Sequence, residues 1–115
     1  MPGVIPAYTK LLWESNLNSE IPPVFGPGPA AGFRWVIIDV TAQAGTASNV
    51  PSGSAQFLLT AGAAPIVATP AVGTAAGIPY RWRDVRQVVD SPSGLQVHSL
   101  TTAWSWRITG YELSV

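Results

Sequence analysis

Cysteine is missing from this 115-residue chain, and histidine occurs once. Without cysteine there can be no disulfide and no thiolate metal site. A nucleophile triad or histidine metal site would have to be built on His98, and no GxSxG or HExxH pattern accompanies it. Charge is scarce: six basic and six acidic residues, 10% of the chain, cancel to zero, against a usual share of ~25%. A nucleic-acid binder carries a basic excess, so that class is set aside. No apolar run reaches the ~18 residues that a membrane-spanning helix needs. The opening Met-Pro-Gly-Val-Ile-Pro lacks the basic flank and apolar core of a signal peptide. Neither nucleic acid nor membrane is therefore expected as a partner.

Helix-length windows are also rare. The eleven prolines are spread along the chain, and proline breaks helix interiors and central strands alike. The windows between them are rich in Val, Ile, Thr and aromatics, which suit strands. Strands are expected over Ala7–Glu14, Gly32–Ala42, Ser54–Ala61, Pro65–Thr69, Tyr80–Asp90, Leu95–Leu100 and Trp104–Val115. The polar Ser15–Glu20 and Ser91–Gly94 read as turns. Phe33–Thr41 is almost continuously apolar and belongs in the middle of a sheet. Phe57 and Leu59 share one face, as do Leu95 and Val97, so those strands bury one side. In the last strand Trp106 and Ile108 share a face. Tyr111, Leu113 and Val115 then follow in the opposite phase, which places a β-bulge at Thr109–Gly110. The expected core is Val36, Ile38, Val40, Phe57, Leu59, Val97, Trp106 and Ile108.

About seven or eight short strands in a chain of this length predict an all-β fold, a two-sheet β-sandwich of jelly-roll type. One domain over 1–115 is expected, with a Pro-rich extended segment over 21–31. That segment is apolar and short of backbone donors, so Ile21, Val24 and Phe25 are candidate assembly contacts rather than members of the chain's own sheet. Low charge with 47% hydrophobic residues favours self-association.

Nothing in the sequence assembles an active site. The carboxylates Glu14, Glu20, Asp39, Asp84, Asp90 and Glu112 are scattered, without the spacing of a calcium loop. No catalytic, cofactor-binding or metal-ligating residue is nominated. His98 lies opposite Leu95 and Val97 on an alternating strand and reads as solvent-facing. Asp39, inside an apolar run, needs a partner, and Arg34, Arg83 or Arg86 is expected to supply it. Alternation puts Tyr80 and Trp82 on one face, with Arg81 and Arg83 on the other. Five tryptophans are many for this length. Most should be core, with Trp82 and Trp104 the candidate surface aromatics, which could form a sugar platform.

Three segments resemble a pattern in small structural proteins of tailed bacteriophages. They are Gly32–Val40, read as Gly-x-x-Trp-Val-Ile-x-Asp-Val; Phe57-Leu58-Leu59; and a closing run of Leu95-Gln96-Val97, Trp106 and Gly110-Tyr111-Glu112-Leu113. The resemblance implies a non-enzymatic virion protein of the head-decoration or minor-tail kind. It would be a jelly roll that assembles with itself, as a trimer, and with other virion proteins. The alternative is a carbohydrate- or receptor-binding module, with a host-surface glycan as its partner.

Overall fold

A computed structural model describes residues 9–18, 23–45, 57–69, 79–99 and 104–115. Nine strands run through them: β1 (Lys10–Asn18), β2 (Val24–Phe25), β3 (Phe33–Ala44), β4 (Phe57–Ala61), β5 (Ala64–Ala68), β6 (Pro79–Trp82), β7 (Gln87–Asp90), β8 (Leu95–Ser99) and β9 (Trp104–Ser114). No described residue is helical. One sheet, A, has the order β1-β9-β3-β6 with β7 also on β3. The other, B, has the order β2-β8-β4-β5. β6 pairs with Val40–Gln43 and β7 with Arg34–Ile37. The two therefore form one edge strand, interrupted at 83–86. Counted so, each sheet has four strands. The chain crosses between sheets at every connection except the β4–β5 hairpin, and this order defines a jelly roll.

The sequence signals account for much of this. Gly62 has φ +59° in the two-residue turn that joins Ala61 to Ala64, a conformation that a hairpin turn of this length demands. Phe57, Leu59, Leu95 and Val97 point inward and are fully buried. β3 lies between β9 and the β6/β7 edge, as its apolar run requires. β1 continues through Ser15–Asn18, which the sequence reads as a turn, because β9 supplies backbone partners for it.

The Pro-rich segment is not a free arm. Val24 pairs with Val97 and Phe25 with Gln96, Gly26 N–H donates to Leu95 O, and Leu95 N–H donates to Pro27 O. Proline is tolerated here because β2 is an edge, where one side of the strand needs no donors. Val24 is buried in its own domain and is not an assembly contact, whereas Phe25 stays 74% exposed. Ile21 lies outside the described residues.

The largest departure concerns phase. β3 and β9 pair along their length, but Ile37 sits opposite Gly110 and Asp39 opposite Thr109, which leaves Ile38 as an extra residue. The bulge is thus on β3 and not on β9. Before it, Trp35 and Ile37 point inward; after it, Val40, Ala42 and Ala44 do. Val36 and Ile38 are only partly buried and lie outside the core. The bulged Ile38 carbonyl accepts a hydrogen bond from Val85 N–H in the β6/β7 break. Gly110 lets the strands close there, since a Cβ on it would fall onto the Val36 carbonyl. β9 keeps one phase throughout: Trp104, Trp106, Ile108 and Gly110 are buried, and Tyr111 and Leu113 face out.

Packing along this ladder follows from size. Trp104 pairs with Ala44, Trp106 with Ala42, and Ile37 with Gly110, so a large side chain meets a small one in each case. Phe57 fills the space above, with ring centroids 5.4 Å from Trp104, 6.0 Å from Trp106 and 6.1 Å from Trp82. Trp13 meets Trp106 edge-on at 5.1 Å. Gly26 lies flat on the Trp13 ring, where no Cβ would fit.

Candidate interaction surface

The tryptophans do not form an outward platform. Trp104 is fully buried, which corrects its assignment as a surface aromatic. Same-parity neighbours Trp104, Trp106 and Ile108 all face sheet B. Trp82 also points inward, stacked between Phe57 and Tyr80, and is only partly exposed at the sheet edge. Arg81 faces out, opposite in phase to Trp82, as the alternation predicts. None of the five tryptophans is classed as exposed.

Charged groups are dispersed in pairs. Glu14 meets Arg107 at 3.7 Å, Arg34 meets Asp90 at 2.7 Å, Arg86 meets Asp84 at 2.7 Å, and Lys10 meets Glu112 at 2.9 Å. Asp39 is paired with Arg81 at 3.2 Å, not with Arg34, Arg83 or Arg86. The bulge turns Asp39 to the outer face and sets it diagonally across from Arg81, while Arg34 and Arg86 are engaged elsewhere. These pairs are solvent-exposed, and screening by water leaves each with little effect on stability. Among the described residues no three His, Cys, Asp or Glu side chains cluster as a metal site. His98 lies on the outer face of sheet B, opposite Leu58.

The Glu112 carboxyl is held below the ordinary carboxylate range. Its causes are a hydrogen bond from the Trp35 indole N–H at 3.0 Å and then one from Lys10 Nζ at 2.9 Å. This group ties β9 to β1 through Lys10 and to β3 through Trp35 at one end of sheet A. β3 has twelve residues where β4 and β8 have five each, a difference of roughly 20 Å at about 3.3 Å per residue.

The outer face of sheet A is where the sequence leaves something to be explained. Its residues lie in rows across the strands. One row is Glu14–Arg107–Thr41–Arg81, and the next is Leu11–Thr109–Asp39. Beyond the bulge come Tyr111–Val36–Val88 and then Leu113–Arg34–Asp90. The first of these rows is charged and borders a groove of about 400 Å³ lined by Glu14, Asn16, Gln43, Ser105 and Arg107. Beyond the bulge Val36, Val88, Tyr111 and Leu113 face water beside the Arg34–Asp90 ion pair, and Leu11 adds to them from the row before it: Leu11 is 44%, Val88 43% and Leu113 47% exposed, with Val36, Ile38 and Tyr111 partly exposed among them. A contiguous outward apolar patch of this kind marks a contact surface.

The signal for this patch was present in the sequence, as apolar residues in both phases of β3 and β9. It reads there as a bulge in β9 because sequence alone does not say which phase meets the other sheet. No protein-family model, no curated protein and no solved structure matches the chain.

Proposed function

We propose that this chain is a non-enzymatic structural protein that acts by protein–protein assembly through the outer face of sheet A. The observation that carries this reading is the outward apolar set Leu11, Val36, Val88, Tyr111 and Leu113 on a sheet whose other face is already filled by its own core. A central strand that is apolar on both faces is expected where both faces become covered. The resemblance of Gly32–Val40 and the closing strand to tailed-phage structural proteins is what supports a virion as the assembly, with the chain as capsid decoration or a minor tail component. Copies of itself and other virion proteins are its partners. The jelly-roll fold is compatible with this role, although one fold serves many functions. The glycan-binding alternative depended on outward tryptophan, and the inward turn of all five weakens it.

Electron cryo-microscopy of the assembly that contains the chain tests the proposal. Val88, Tyr111 and Leu113 are expected beneath another polypeptide. A map in which this face meets only solvent on every copy would overturn the reading.

A further inference from the structure

We infer that the partner on the outer face of sheet A is a second copy of the same chain, packed face to face about a two-fold axis that runs along the strands between β9 and β3. This rests on the reading of that face as an assembly surface and adds who covers it and how.

The first argument is area. Four strands about 4.8 Å apart make the face about 19 Å wide, and five alternate rows about 6.8 Å apart make it about 34 Å long. Three of the five rows reach only three strands, so the face is roughly 550 Å² per copy in projection, or about 1,100 Å² for a pair, in the range of weak, transient interfaces. The uncharged row Tyr111–Val36–Val88 supplies only a small part of this. The charged row Glu14–Arg107–Thr41–Arg81 must therefore lie inside the interface.

The second argument is charge. Burying a charged row against the wrong partner is costly, so its order restricts the packing. Across sheet A that row reads acidic, basic, neutral, basic. A two-fold axis across the strands at this level would set Glu14 on Glu14 and Arg107 on Arg107. Placed at the bulge, the same axis would set the charged row on the apolar ones. An axis along the strands reverses left and right while keeping each row level. Glu14 of one copy then meets Arg81 of the other, twice, and Arg107 meets Thr41. In the uncharged row Tyr111 meets Val36, and in the last row Leu113 lies against the stem of Arg34, whose guanidinium keeps Asp90 of its own chain as partner. Packed sheets stand about 10 Å apart, a gap that a glutamate and an arginine reaching toward each other span. The chain's net charge of zero leaves no long-range repulsion between copies.

Sedimentation velocity on the purified full chain tests this, with circular dichroism confirming that each variant keeps its strand signal. The wild type is expected in monomer–dimer exchange on the order of tens of micromolar. Glu14→Arg and Arg81→Glu should each raise the dissociation constant about tenfold or more, and the double variant should return it to within about threefold of wild type. Recovery cannot come from within one chain. There Glu14 pairs with Arg107 and Arg81 with Asp39, so the double variant sets like charges together in both places. A dimer unmoved by the single changes, or a double variant that fails to recover, overturns the two-fold packing. A trimer without a dimer likewise overturns the two-fold packing. A strict monomer at several hundred micromolar overturns the second copy as occupant and leaves assembly with a different protein to the microscopy above.

Discussion

The two halves of the β3–β9 ladder differ in what their outer faces carry. Toward Ala44 and Trp104 the inner face holds tryptophan against alanine, and the outer face holds Thr41, Gln43, Ser105 and Arg107. Toward Phe33 and Ser114 the inner face holds Trp35 and Ile37 against Glu112 and Gly110, and the outer face holds Val36, Tyr111 and Leu113 beside Arg34. The outer face of the same two strands is thus polar in one half and largely apolar in the other, where Arg34 is its charged residue. A single extra residue, Ile38, separates the halves and re-phases β3 between them. What the difference teaches is that an alternating strand segment needs one covering neighbour, whereas a segment apolar in both phases leaves apolar side chains on a face its own domain does not cover.

This contrast can be broken at its covered half first. Phe57 is fully buried and touches three tryptophan rings. Phe57→Ala should lower unfolding free energy by about 3–5 kcal/mol in urea titration; a loss under about 1 kcal/mol would mean the aromatic cluster is not what holds the sheets together. The junction between the halves comes next. Gly110→Ala places a methyl on the Val36 carbonyl and Ile37 Cα. The strands must part to admit it, at a cost of about 1–3 kcal/mol by the same titration. No loss would show that the ladder has slack at the bulge.

The open half should respond differently. Val88→Thr and Leu113→Thr alter exposed side chains, so monomer stability should stay within about 0.5 kcal/mol of wild type in thermal melts at low concentration. Self-association should weaken in the same samples at high concentration. A large stability loss would mean the patch is part of the chain's own core. The smallest expected effect is at the sheet's end. The folded protein holds Glu112 below its ordinary value of 4.5. A depressed carboxylate contributes stability that is present above the unfolded value and is lost as pH falls through the folded one. The melting temperature of Glu112→Gln should therefore lie slightly below wild type at neutral pH, with the gap closing as pH drops below 4.5. A gap that widens in acid would reverse the assignment.

The sequence by itself determined the class of fold and most of its parts. Proline spacing removed helices, period-two alternation located β4 and β8 with the correct face inward, and the apolar run marked β3 as a central strand. These are local properties, carried by neighbouring residues and the pleat. Only the tertiary structure decided the rest. It put the phase change on β3 rather than β9, because a bulge belongs to a pair of strands and the glycine that permits it can sit on the partner of the strand that bulges. It joined Asp39 to Arg81 instead of its other candidates, since that choice depended on the bulge. It gave Val24 and Phe25 an edge position by matching them to Val97 and Gln96, 73 and 71 residues away in the chain. It turned Trp104 into the core and Tyr111 and Leu113 out of it. Each of these outcomes rests on pairing between distant segments, and no periodicity within one segment says which of its two faces the other sheet will cover.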